Sequence, residues 1–335
     1  MTIKDLSAMT GYSVGTISRV LNNQPNVSEK ARKAILAAAE ESGFQLNANA
    51  KQLKQNHGNS ILGVVKGTSN ELVGNLVEAI QARLAKTSYP LEVDYQDEDL
   101  NEVLRAVRLC REKKPQGVLF LGGNSRNFAE AFHQIQVPCV LVTNDASQTP
   151  FENLSSVSSD DRAAGRLAIE HLAALGHRKI VLIGGDRTVS DTAQLRYAGC
   201  MDAMRANGID FDEEADYEGV RFSFSDGYRA AKALLARGRE FTALFAIADV
   251  MAIGAIRALQ DAGLRVPEDV SVVGFDGLDV GEYTVPRLAT ISQNVERLAE
   301  RSVELLLQQI EAPEKPVYET LPVSLARKES TRRIG

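Results

Sequence analysis

The sequence predicts an all-α helix-turn-helix head followed by an α/β body of two similar lobes, on three observations. Residues 2–22 of the 335-residue chain read as two short helices joined by a tight turn. Residues 46–58 then break the pattern with small and polar side chains. From Ser60 onward apolar, strand-like runs alternate with amphipathic helices, the arrangement of parallel sheets with crossover helices.

In the head, Thr2 and Asp5 form a capping-box-like start, and Ile3, Leu6 and Met9 recur on one face until Gly11 ends the helix. Ser13 caps a second helix. Its Ile17, Val20 and Leu21 fall at i, i+3 and i+4, leaving Gly15, Ser18, Arg19 and Asn22 on an opposite face that is polar and basic. A helix that enters the major groove of DNA needs two such faces, and so does an amphipathic helical hairpin of any other purpose. Gly11-Tyr12-Ser13-Val14-Gly15 also fits the G-x-S-x-G elbow of hydrolases, but an elbow needs a buried strand before its serine, and a short polar helix stands there instead. A third helix runs from Ser28-Glu29 to about Glu41, striped by Ala31, Ala34, Ile35 and Ala38, with Gly43 as its stop. Residues 1–45 thus make a three-helix unit near the lower size limit for independent folding.

Residues 47–54, Asn-Ala-Asn-Ala-Lys-Gln-Leu-Lys, carry Leu53 as their one large apolar side chain. They read either as a plain linker or as a hinge helix that folds on DNA and wedges the leucine into the minor groove. Charge follows the same division. Residues 1–57 hold seven Lys and Arg against four Asp and Glu, a net +3, so the overall −6 leaves −9 on the remainder. A basic head on an acidic body suits a DNA reader with a separate sensing module.

In the body, strands are expected at residues 61–65, 91–95, 118–121 and 137–142, with helices at 70–85, 100–112 and 127–134 between them. A second series follows: helices at 160–175, 191–206, 225–236 and 249–262, and strands at 180–183, 243–246 and 270–273. A helix at 295–310 and a strand-like 317–325 come last, so each lobe is expected to be discontinuous: one lobe 59–158 and 288–320, the other 159–287 and 321–335. Loops at the carboxyl ends of the strands would face each other across a cleft.

Other functions find little support. The three cysteines, Cys110, Cys139 and Cys200, lack C-x-x-C spacing and read as free buried thiols, while His57, His133, His171 and His177 lack metal-ligand spacing. There is no Walker A or G-x-G-x-x-G sequence, so no metal or cofactor is expected, and no nucleophile-base constellation marks an enzyme. No run of about 18 apolar residues is present, and the chain opens without an apolar signal segment, so a soluble cytoplasmic protein without membrane contact is expected.

Several stretches carry a family resemblance over essentially the whole chain: Ile3-Lys4-Asp5-Leu6-Ser7, the run from Ser13 to Asn22, Val27-Ser28, Leu175-Gly176-His177-Arg178-Lys179-Ile180, Met251-Ala252-Ile253-Gly254-Ala255, and Val266-Pro267-Glu268-Asp269 with Val272-Val273-Gly274-Phe275-Asp276. They are similar to the LacI/GalR bacterial transcription regulators. The resemblance implies a helix-turn-helix head, a hinge helix at 46–58 and a two-lobed, periplasmic-binding-protein-like body. It implies a DNA-binding regulator, expected to be a repressor, working as a homodimer on a pseudo-palindromic double-stranded operator. The chain ends without the heptad tail that some relatives use to form tetramers.

Residue by residue, the resemblance puts base reading on Val14, Gly15 and Arg19, with Asn22 on the same face, and phosphate contacts on Thr16 and Ser18. Gly15 departs from the family, since it has no side chain to bond a base. In the hinge, Leu53 takes the wedge position beside Lys54, and Ala50 faces the partner hinge. The effector positions fall on Thr143, Arg196, Phe222, Ala248, Asp249 and Asp276. An arginine fork and a carboxylate suit vicinal sugar hydroxyls; the alternative is that Arg196 and Asp276 merely pair with each other or cap strand ends. Tryptophan is absent, so Phe222 is the expected stacking platform, or else a core aromatic. Ala248 and Thr143 depart from the family's polar and acidic residues, which leaves the effector either a sugar or sugar derivative or, alternatively, a nucleoside, purine, amino-acid-type ligand or protein co-repressor.

Overall fold

The computed structural model describes residues 3–21, 27–42, 58–67 and 71–335. It falls into two units, Met1–Asn56 and His57–Gly335.

The first unit holds α1 (Ile3–Thr10), α2 (Val14–Leu21) and α3 (Glu29–Glu41). Leu6, Ile17, Val20, Ile35 and Ala39 form its core, with Tyr12, Leu21 and Val27 packed against them. Gly11, at φ +72°, turns the chain out of α1 in a conformation that a side chain would resist. Ser13 Oγ then accepts the Thr16 amide at 3.2 Å and Ser28 Oγ accepts that of Ala31 at 3.3 Å, so both serines are N-caps. Met9, expected on the buried stripe, is 57% exposed. The core of the three helices forms without it. Thr2 and Gly43 lie outside the described residues.

The second unit opens with β1 (Ile61–Lys66), α4 (Glu71–Leu84), β2 (Leu91–Gln96), α5 (Glu102–Lys113), β3 (Gly117–Leu121), α6 (Ser125–Ala131), β4 (Cys139–Thr143) and β5 (Leu154–Ser159). It continues with α7 (Asp161–Ala174), β6 (Ile180–Gly184), α8 (Asp191–Ala206), α9 (Glu213–Asp216), β7 (Tyr217–Gly219), α10 (Phe224–Ala236), β8 (Ala243–Ala246), α11 (Asp249–Asp261), β9 (Ser271–Asp276) and β10 (Ala289–Ser292), and ends with α12 (Val295–Glu311), β11 (Tyr318–Leu321) and β12 (Ser324–Ala326).

Two six-stranded sheets result, ordered β11-β5-β4-β3-β1-β2 and β12-β10-β9-β8-β6-β7. Their pairs are parallel except β10 with β12. Central strands such as Gly117–Leu121 and Ile180–Gly184 are buried throughout, as helices on both faces require. The winding reverses between β1 and β3 in one sheet and between β6 and β8 in the other. The carboxyl ends of those strands are where an open α/β sheet leaves a crevice.

Four stretches differ from the sequence expectation. Leu154–Ser159 is an interior strand despite four serines, because side-chain bonds satisfy the buried hydroxyls: Ser155 and Ser156 accept the amides of Val317 and Ala146, and Ser159 donates to Gln293. Tyr217–Gly219 is a three-residue edge strand, too short to show a period. Ala289–Ser292 pairs with β9, so the chain returns to the first lobe at Gln293 rather than at 288. The run 317–325 is two strands in different sheets, parted at Pro322, since proline cannot donate to a ladder.

Candidate functional site

A cavity of about 380 Å³ lies between the two lobes, walled by the carboxyl ends of β1, β3, β4, β6, β7 and β9. Lys66, Thr143, Arg196, Phe222 and Asp276 are among its lining residues.

Arg196 is placed by the crossing of α7 and α8. Gly165 and Gly199 face each other's helices there, and a Cβ at either would collide with backbone of the other helix. Its Nε donates to Asp161 Oδ1 at 2.7 Å, its Nη1 donates to the Ile247 carbonyl at 2.7 Å, and the guanidinium lies 3.6 Å from the centre of the Phe275 ring. Arg196 thus pairs with Asp161 rather than with Asp276.

Asp276 ends β9. Its Oδ1 accepts from Gln293 Nε2 at 2.7 Å, while Oδ2 is buried without a hydrogen-bond partner. Burial pushes this carboxyl well above the usual carboxylate range; Arg196 opposes the shift and Asp249 adds to it. Backbone geometry singles out the same place. Among the described residues the non-glycine positions with positive φ are Lys114, Thr143 (φ 79°) and Asp276 (φ 122°), and the last two line the cavity. A β-branched threonine in that region is strained, and such strain collects at ligand sites.

Phe222 also lines the cavity, half-buried against Gly185. Ala248 and Asp249 do not line it: both are fully buried. Asp249 accepts the Leu278 amide and the Thr290 hydroxyl, each at 2.7 Å, at the start of α11, and burial raises its pKa to about 7. It ties the turn after β9 to β10.

Several wall residues went unnoticed in the sequence: Lys66, Glu98, Asp99, Asp186, Ser190 and Arg221. Only their place at or after strand ends marks them. Across the mouth, Arg221 of the second lobe reaches three consecutive acids of the first, Asp97 at 3.1 Å, Glu98 at 2.9 Å and Asp99. Burial raises Glu98, with Arg221 opposing. Asn124 Nδ2 donates to the Val189 carbonyl at 2.8 Å, and the Ser125 amide and hydroxyl donate to Asp191, adding further bonds between the lobes.

The cavity's cations are all committed: Lys66 to Glu102 at 2.6 Å, Arg196 to Asp161, and Arg221 to the acidic triplet. Asp186, Asp276 and Asp99 stand against them on the wall. Among the described residues no group of three or more His, Cys, Asp and Glu is placed to hold a metal.

In the head, Val14, Gly15 and Arg19 are exposed on the face of α2 opposite the buried Ile17 and Val20. Thr16 and Ser18 are half-buried, and the Thr16 hydroxyl lies 2.9 Å from that of Ser13. A Cβ at Gly15 would meet only Ser13 Oγ, at 3.8 Å, so packing within the head does not require glycine there. Asn22, Ala50, Leu53 and Lys54 lie outside the described residues. No helix among the described residues is long and apolar enough to cross a membrane.

Comparison with known proteins covers both units. Residues 2–47 match the model of the bacterial regulatory proteins of the lacI family, and residues 169–331 that of the periplasmic binding protein-like domain. The chain is 34% identical to the HTH-type transcriptional regulator MalR of Clostridium butyricum over 100% of both, and 30% identical to the HTH-type transcriptional repressor PurR of Pasteurella multocida over 99% of both. Among solved structures it is similar to the lac repressor dimer bound to operator and the anti-inducer ONPF, with TM-score 0.77, 29% identity and 99% of each chain covered. A CelR–cellobiose complex gives TM-score 0.71 and 27% identity over 98% of this chain and 99% of that one. With likeness that runs through head and body alike, the chain belongs to the LacI family of bacterial transcription regulators, DNA-binding proteins rather than enzymes.

Proposed function

We propose that this protein is a cytoplasmic, homodimeric repressor whose operator affinity is set by an uncharged sugar held in the interlobe cleft. The observation that carries the effector reading is Asp276 Oδ2, a buried carboxylate oxygen without a partner on the cavity wall. Such an oxygen wants a hydrogen-bond partner, and a sugar hydroxyl, which both donates and accepts, suits the carboxyl whether it is protonated or ionised. Asn144 and Thr143 offer further polar groups, and Phe222 a ring face. Because each lining cation already holds a carboxylate, a phosphate or carboxylate on the effector would meet uncompensated negative charge. The relatives include a cellobiose complex and purine-named repressors, so base stacking on Phe222 is the reading that the test must exclude.

On the DNA side, Val14 and Arg19 read bases, Gly15 lets the backbone come close, and Thr16, Ser18 and Asn22 hold phosphates. Ala50, Leu53 and Lys54 form a hinge in the minor groove. The test is titration of an operator selected from genomic fragments, with and without neutral sugars, on the wild type and Asp276→Asn. Light scattering of the complex should give two chains per operator. The variant should keep its ligand-free DNA affinity and lose about tenfold in response to the sugar, the worth of one hydrogen bond to a buried polar group. An undiminished response, or a response to purines alone, would remove the sugar reading.

A further inference from the structure

A second cavity, of about 410 Å³, opens on the second lobe where β6 and β7 end, and it shares Asp186 and Gly219 with the interlobe cleft. Each cavity is by itself within the size range of small-molecule sites, so the two together exceed what one sugar ring needs. The second cavity has the walls of a built site. Tyr217 is fixed by donating its hydroxyl to the Gly185 carbonyl at 2.6 Å and by edge-on contact with Tyr197 at 5.4 Å. Arg187 lies 3.9 Å from the centre of Tyr197 and 4.9 Å from that of Tyr217, and its charge is taken by Glu213. The wall thus holds one aromatic, Tyr217, and its one cation, Arg187, is committed.

Polar groups are available beside it. Asp186 takes both bonds from Thr188, the amide at 2.8 Å and the hydroxyl at 2.7 Å, on Oδ1, and no described residue binds its Oδ2. Thr188 hydrogen bonds hold this carboxyl below the usual range, so it is an acceptor at neutral pH. Gln194, exposed on the first turn of α8, has no described partner for its side-chain amide, which can donate and accept at once. A carboxylate oxygen, an amide and a tyrosine around an open pocket match a hydroxyl-rich ring with an apolar face.

We propose that the effector cleft continues into a second sugar subsite over Asp186, Gln194 and Tyr217, so that the effector is a neutral disaccharide or longer oligosaccharide rather than a single ring. This rests on the sugar reading of the cleft. Asp186, on the wall of both cavities, would take hydroxyls from the rings on either side of the glycosidic bond.

The test uses the full chain and two variants at a residue that lines the second cavity and not the first. Gln194→Ala removes the amide; Gln194→Trp fills the space. Melting temperature and titration calorimetry are followed with glucose, galactose and mannose and with the dimers maltose, cellobiose, lactose and melibiose. At least one dimer should bind about tenfold more tightly than its component rings, with that advantage reduced in Gln194→Ala and abolished in Gln194→Trp, while the rings bind both variants as they bind the wild type. Dimers that bind no better than their rings, or an advantage that survives Gln194→Trp, would overturn the subsite and leave the sugar reading standing. A melting temperature raised by nucleosides or amino acids and by none of the sugars would overturn both.

Discussion

Asp249 begins α11 with both carboxylate oxygens occupied by Leu278 and Thr290, and Gly274 in β9 leaves the room that its carboxyl fills. Burial holds its pKa near 7, against about 4 for an ordinary aspartate. Between those values the native chain keeps a proton that the unfolded chain has released, so this residue costs stability as pH rises from about 4 to about 7 and adds no further slope above. Asp249→Asn cannot titrate. The acceptor it loses at Leu278 is a cost independent of pH, so the melting temperature of the variant relative to the wild type should climb as pH is raised from about 5 to about 8. A difference that stays flat across that range would show that Asp249 is ionised throughout. The residue also marks the limit of reading a site from sequence. Asp249 and Asp276 both stand at the carboxyl ends of strands, and only packing shows that one faces the cavity and the other the turn after β9. Likewise the positive φ of Thr143 leaves no trace in its neighbours, because threonine does not seek that conformation; the surrounding fold imposes it.

At the scale of elements, the sequence revealed those with a strong period. The helices 191–206 and 225–236 and the strands 180–183 and 243–246 fall within a residue of the observed Asp191–Ala206, Phe224–Ala236, Ile180–Gly184 and Ala243–Ala246. What escaped was short or chemically atypical: the serine strand β5 and the edge strand β7, whose existence depends on partners distant in the chain. The bridge across the cleft mouth escaped for the same reason. Asp97, Glu98 and Asp99 follow β2 in a stretch that carries no period, while Arg221 follows β7, more than a hundred residues later. Together they join the two lobes through groups that remain largely exposed, where screening weakens each pair and proximity of three acids partly restores it. Arg221→Ala should therefore speed both entry and release of the effector by a few-fold at low salt and change little at high salt, read by stopped-flow titration with whichever sugar raises the melting temperature. Equal rates in wild type and variant at low salt would mean that the bridge forms no barrier.

For the whole molecule the question is how occupancy of the cleft becomes a change in DNA affinity, and the body contains a side chain suited to convey it. Gln293 sits where the chain passes from β10 to α12, a crossing between lobes. Its Oε1 accepts from Ser159, at the end of β5 where the chain first leaves the first lobe, and its Nε2 donates to Asp276 Oδ1. One amide thus binds two crossings to the carboxyl whose other oxygen has no partner. A sugar hydroxyl on Oδ2 would bond the same carboxyl as Gln293, so its bond bears on the segments that set the angle between lobes. A ligand moves an equilibrium only by the difference in its free energy between the two states, and the effect must be reciprocal: if the sugar changes DNA affinity by some factor, DNA changes sugar affinity by that factor. Gln293→Ala should bring that factor toward one in both directions equally, while the sugar still binds the DNA-free protein within several-fold of wild type, since Arg196, Phe222 and the free oxygen of Asp276 remain. Four titrations measure it: sugar with and without operator, and operator with and without sugar. If the variant binds sugar and operator each as before and the factor is unchanged, the crossing is passive and coupling runs through the bonds at the cleft mouth instead.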